Sequence, residues 1–425
     1  MPTSEATLTQ TPLHVLGLVL RSLDSLRSLG SAVLAHPCLH AAFAEDPARI
    51  TRDILDAQMS PSTARLAYAA HAARRVDRTS TAAVRRFAED WLVPLDDRAV
   101  AAAAGSETGP LGVWPWGLSL ADVVSMSRAH GVVEDLTERL VNAALPVCEE
   151  DSYLLVGDGD GGGGGARRER GRATKAETAR IHRMLYGYEI YCGLLFRDEH
   201  DCKADLSWRT EVNFQLSAAL YNENVVKANN QLACIHDFLE NIVLSAFKQV
   251  AMYDVTWGAH EVDYLSTGSA NEHVQAHLSL GLDYIYKLAQ ANTPLPPSAS
   301  PDARLQRFRL LRRMLLTHRY SATSALPPRA AYMLASELNA HSRAHLAKTG
   351  AAERRHACHL WDEPAGPLTA ADAAKRERAV ERWAAEGAAR EAEVEEREWP
   401  AMKRSWAKRK DMYEQGYRGF YMEHF

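Results

Sequence analysis

A chain of 425 residues with 46% apolar and 24% charged residues has the makeup of a globular protein, with room for two or three domains and a sizeable core. Its net charge of -5 argues against a global pull onto nucleic acid or an anionic membrane, so any polyanion contact has to be local. Six scattered cysteines, Cys38, Cys148, Cys192, Cys202, Cys234 and Cys358, include no CxxC pair, which argues against a disulfide framework or a zinc ribbon.

At the start of the chain, MPTSEATLTQTP has no basic residue before the apolar run LHVLGLVL, and that run meets Arg21 and Asp24 within a helical turn. This pattern predicts neither a signal peptide nor a membrane span, and hence a cytoplasmic or nuclear location. From there apolar residues recur at intervals of three and four. Capping side chains stand before proline at Asp46-Pro47, Ser60-Pro61 and Ser300-Pro301. The spacing predicts helices over 13–23, 25–35, 47–59, 61–76, 80–92, 120–129 and 134–144. Thr174 and Glu177 form a capping box ahead of a long amphipathic helix marked by Ile181, Leu185, Tyr188, Cys192 and Leu195. Further helices are predicted over 212–221, 230–252, 271–291 and 302–317, with TPLPPSASP as a stiff surface loop.

Beyond about residue 351 the chain turns to Ala, Glu, Arg and Trp. The stretch AADAAKRERAVERWAAEGAAREAEVEEREW has too few apolar positions for deep burial and reads as a solvated helix, with a partner-binding helix as the alternative. In the closing segment, Lys403, Arg404, Lys408, Arg409 and Lys410 alternate with aromatics. It reads as solvated surface, with nuclear import or phosphate contact as the sharper alternative. The expected fold is therefore mostly α, a multi-helix array. It comprises an N-terminal helical segment (1–60), a helical extension (61–150), a Gly-rich flexible linker (151–173), a main helical domain (174–350) and a charged, partly exposed helical tail (351–425).

The linker GDGDGGGGGARRERGR, after the strand-like run SYLLV, imitates two ligand sites. Gly157, Gly159 and Gly162 satisfy the dinucleotide pattern, but the next helix cap lies about a dozen residues on, so no helix N-terminus meets a pyrophosphate. Asp158, Asp160 and Glu169 fall at calcium-loop positions, yet Gly162 and Gly165 stand where an oxygen ligand and an apolar anchor are needed. The best metal candidate is His273 with His277, four residues apart on one helix, with His260 and Glu261 as further ligands. The residue after His273 is Val274, where a metalloprotease motif needs its glutamate. His36, Cys38 and His40, and His356, Cys358 and His359, are spaced too closely for a usual tetrahedral set. Asp254, Trp257, His260 and Glu261 in YDVTWGAHEVDY form the densest polar and aromatic cluster, expected as a helix-connecting turn around a packed Trp. No complete catalytic signature is found, and no cofactor is called for.

The segment TPLHVLGLVLRSLDSLRSLGSAVLAHPCLHAAFAEDPARITRDILDAQMSP carries Pro12, Leu13, Val15, Leu16, Val19, Leu20 and Leu23, then Leu26, Leu29, Val33, Phe43, Ile50, Ile54 and Leu55. On these residues it resembles the F-box-like opening of a group of filamentous-fungal proteins. The later blocks AETARIHRMLYGYEIYCGLLF, NQLACIHDFLENIV and YDVTWG are similar to further blocks of that group, so the resemblance spans most of residues 12 to 290. It implies a non-enzymatic substrate receptor or scaffold docking the Skp-type adaptor of a cullin ubiquitin ligase. Pro12, Leu13, Leu16, Val19, Leu20, Leu23 and Leu26 would form the docking stripe, and an unknown protein would be the substrate. Two alternatives stand beside it: a stand-alone helical interaction module, and an enzyme with a metal site around His260 to His277.

Overall fold

Side-chain caps set where most of the helices begin. Ser25 accepts the amide of Ser28 at 3.0 Å, Asp46 that of Arg49 at 3.2 Å, and Ser80 that of Ala83 at 3.2 Å. Ser300 does the same for Ala303, Asn271 for Val274 and Thr369 for Asp372. Each satisfies an amide that a helix start leaves without an intrahelical partner. The computed structural model describes residues 8–59, 61–77, 80–91, 120–151, 171–195, 225–267, 271–296, 298–317, 351–362 and 369–421. The SYLLV run, almost all of the Gly-rich linker and the predicted helix over 212–221 lie outside these residues.

The described residues are mostly helical. In chain order the helices are α1 (Leu13–Arg21), α2 (Leu26–Ala35), α3 (Pro37–Glu45), α4 (Pro47–Gln58), α5 (Pro61–Ala73), α6 (Thr81–Trp91), α7 (Leu120–Glu150) and α8 (Lys175–Leu195). There follow α9 (Val225–Ala251), α10 (Val255–Ala259), α11 (Glu272–Leu278), α12 (Leu282–Ala291), α13 (Pro301–Thr317), α14 (Ala351–Arg355), α15 (Ala370–Glu393) and α16 (Trp399–Glu414). A π turn, Val394–Glu398, carries α15 into α16. Among the described residues the β structure is a single antiparallel bridge between Asp254 and Phe420.

Besides the earlier start of α9 and the helical turn α10, three differences from the sequence expectation have a clear cause. Helix α3 starts on a cap that is neither Ser, Thr, Asp nor Asn: the Nδ1 of His36 accepts the Cys38 amide at 3.2 Å, and Pro37 takes the first turn. Helix α7 runs unbroken where two helices were expected, because its buried face continues through Val132, Val133 and Leu136 past Gly131. The single helix expected over 271–291 is two, broken at Gly281, whose φ of 87° leaves the helical region.

One continuous core reaches from Leu16 to Met402. Helices α1 to α4 pack on one another, and α2 reaches α7. Helix α9 is the central strut, touching α8, α11, α12, α13 and α14. The capping box of α8 forms as expected, with Thr174 N–H donating to Glu177 Oε2 at 2.8 Å and Glu177 N–H to Thr174 Oγ1 at 3.1 Å. It also ties down a distant segment: Glu177 Oε1 accepts the Asp362 amide at 2.7 Å, and Arg180 bonds the Asp362 carboxylate at 2.9 Å. None of the helices among the described residues is long and apolar enough to cross a membrane.

Candidate functional site

Helix α1 carries apolar residues on more than one face, so burying one stripe leaves another in water. Leu16 and Leu20 turn inward and are almost fully buried, meeting a core that includes Leu26, Leu29 and Val33 of α2, Phe43 of α3, and Ile50, Ile54 and Leu55 of α4. Leu13 and Leu23 are half-buried against the same core. Of the expected docking set, Leu16, Leu20 and Leu26 are thus interior residues whose partners are in this chain, while Pro12 and Val19 face out. Periodicity alone cannot decide which stripe turns inward on a helix with two apolar faces. The outward face joins Val15, Leu18 and Val19, with Leu18 57% and Val19 51% exposed. Arg21 pairs with Asp53 and fixes the end of α1 onto α4.

A second constellation surrounds the D-V-T-W-G turn. Asp254 is fully buried; its Oδ1 caps α10 by accepting the Trp257 amide at 3.0 Å, and its Oδ2 pairs with Arg312. Trp257 packs against Phe247 with ring centroids 4.9 Å apart. Arg409 of the basic tail is also fully buried here, donating from its guanidinium to the carbonyls of Asp254 (2.9 Å), Ser405 (3.3 Å) and Ala251. The chain then returns alongside, with Val255 N–H on Gly419 O at 2.9 Å and Tyr421 N–H on Tyr253 O at 2.8 Å. Arg409 therefore departs from the solvated tail expected for it, because the carbonyls of Ala251 and Asp254 converge on its guanidinium and offset its burial.

Among the described residues His260, Glu261, His273 and His277 form no three-ligand group, although His273 and His277 both pack on the Phe247 ring. His277 Nδ1 bonds the Tyr284 hydroxyl at 2.9 Å, His273 stacks on Phe247, and His260 lies against Tyr413. His36 is a helix cap, and His356 packs its ring on Trp383 while its carbonyl accepts from the Cys148 thiol and the Trp361 indole.

Among the described residues, metal-like convergence is found instead on α9, where one ligand atom each of His236, Asp237 and Glu240 lies within 4.8 Å of the others. His236 Nδ1 is 3.4 Å from Asp237 Oδ1, and His236 Nε2 is 3.3 Å from Gln275 Oε1. Gln275 donates to Glu240 Oε1 at 3.1 Å, and Arg354 donates to Asp237 Oδ2 at 3.2 Å. Burial lowers the His236 pKa, but bonding to Asp237 and the charge of Glu240 raise it further, to above its ordinary value. Asp237 is held below the usual carboxylate range by His236 and Arg354, against the opposing effect of burial. The signal visible in the sequence was His-Asp-x-x-Glu, an imidazole and a carboxylate four residues apart.

A further buried node lies at Glu189. Its carboxylate pairs with Arg74 and accepts the Leu282 amide at 2.7 Å, which caps α12 from a distant helix. It borders a cavity of about 30 Å³ walled by Ala67, His71 and Met126, with room for a water or two and no drug-sized ligand. The chain matches no family model, no curated protein and no solved structure.

Proposed function

We propose that this protein is an F-box-like docking protein whose outward α1 face, Val15, Leu18 and Val19, seats in an apolar groove of a Skp-type adaptor. The remaining helices would then carry a protein substrate. The observation that carries the reading is the division of α1 into two apolar faces. Leu16 and Leu20 hold the helix to its own core, while Val15, Leu18 and Val19, three and four residues apart, stand in water. Bare apolar side chains grouped on one helix face are what helix-in-groove recognition uses.

The test is co-purification with a Skp-type adaptor. Wild-type chain is expected to retain the adaptor, and a Leu18→Asp, Val19→Asp double variant with unchanged helical content is expected to lose it. Failure of the folded wild-type chain to retain the adaptor ends the ligase reading. The stand-alone interaction module then takes its place, supported by the fact that the inward stripe of α1 is satisfied within the chain.

A further inference from the structure

The geometry points to a binding site for a zinc-class divalent cation on α9, with His236, Asp237 and Glu240 as ligands and solvent in the fourth position. The ligand types fit: imidazole with two carboxylates suits zinc or manganese, and three protein ligands plus water is the arrangement of an open site. The spacing fits as well. Two ligands each about 2.1 Å from one tetrahedral ion stand about 3.4 Å apart. His236 Nδ1 and Asp237 Oδ1 are separated by 3.4 Å. His236 and Glu240 share a helix face four residues apart, and the three ligand atoms stay within 4.8 Å of each other.

What sets this cluster apart from a chance grouping of polar residues is the support behind each ligand. Metal-bound histidines are normally oriented through their other ring nitrogen, and bound carboxylates through their other oxygen. Here Gln275 meets His236 at Nε2 and Glu240 at Oε1, while Arg354 holds Asp237 at Oδ2. One buried amide from α11 and one guanidinium from α14 thus orient three ligands on α9. His236 and Glu240 are buried, whereas the Asp237 side chain is 30% exposed, so the site opens to water on one side. The inference concerns residues far from α1 and stands apart from the adaptor reading.

The experiment uses the full chain, stripped with a chelator and shown by circular dichroism to keep its helical content. Calorimetric titration with zinc chloride is expected to give one equivalent per chain. Loading with cobalt(II) is expected to give visible bands characteristic of a low-coordinate nitrogen and oxygen site. His236→Gln and Glu240→Gln each remove the one-equivalent binding, and Gln275→Leu weakens it about 10- to 100-fold. His277→Gln leaves it unchanged. Asp237→Asn, at a partly exposed position, guards against misfolding of the buried variants and also weakens zinc. A folded wild-type chain that takes up no zinc overturns the site, as does binding that survives both His236→Gln and Glu240→Gln.

Discussion

Arg409 lies so close to Gly258 that a methyl carbon at position 258 would fall 2.4 Å from its Nε. The helix that carries the basic tail can seat only because the turn beneath it has no side chain at that point.

Gly258→Ala is therefore expected to destabilise the fold by about 1–3 kcal/mol through overpacking against a buried guanidinium. Arg409→Ala, which strips donors from the Asp254 and Ala251 carbonyls and opens a cavity, is expected to cost about 2–5 kcal/mol. Chemical denaturation reads both. Midpoints equal to wild type would mean that the tail is not anchored at this turn.

The α1 faces give a contrast between neighbouring residues. Leu20→Ala is expected to cost about 2–5 kcal/mol, because it empties a filled core position. Leu18→Ala, on the exposed face, is expected to stay within about 0.5 kcal/mol of wild type. Equal losses at the two positions, measured by urea unfolding, would show that the helix is turned otherwise.

Glu189 joins two helices through one carboxylate. Glu189→Gln keeps the shape but lowers the strength of the bonds to Arg74 and the Leu282 amide, an expected loss of about 1–2 kcal/mol. Gly281→Ala is expected to lose about 1–3 kcal/mol, since φ is 87° there and a Cβ would lie 2.9 Å from Glu189 Oε2. In a Glu189→Ala background that steric share is relieved while the backbone share remains. A Gly281→Ala penalty that is the same in both backgrounds rules out the close approach.

Burial, reinforced by the charge of a neighbouring His130, pushes the His182 pKa down from 6.5 to about 4. Between those values the unfolded chain holds a proton that the folded chain rejects. The stability tied to His182 is thus whole above pH 6.5 and is lost as pH falls toward 4, by up to about 3 kcal/mol. His71, His130 and His356 are lowered in the same direction, mainly by burial. His236 is raised, so its share runs the other way and fades as pH climbs through its folded value. Subtracting the stability–pH curve of His182→Gln from that of wild type gives the share of His182 together with its coupling to His130. A flat difference between pH 6.5 and 4 would refute the assignment.

Most of the helices could be read from local chemistry because caps and periodicity act within a few residues, as at Asp46-Pro47 and in the Thr174–Glu177 box. What escaped was whatever depends on distant chain. The break at Gly281 answers to Glu189, about 90 residues earlier in the chain. The run Asn271 to Ala291 carries no other strong stop signal. Helix α3 hid behind a histidine cap, a residue type with weak capping preference. The partners that make His236 and Asp237 a site, Gln275 and Arg354, stand 39 and 117 residues away. Arg409 sat in the middle of the basic run Lys408, Arg409 and Lys410, where composition alone suggests water.

The anchoring of that arginine also bears on the order of events at the ribosome. The Asp254 turn emerges roughly 150 residues before Arg409, an interval of about 8–30 s at usual rates of synthesis. For that time Asp254 O and Ala251 O lack the guanidinium that later fills their site, and Gly258 faces an open notch. A nascent chain stalled before residue 409 would present a sticky, half-built turn, a natural target for chaperones and for quality-control proteases.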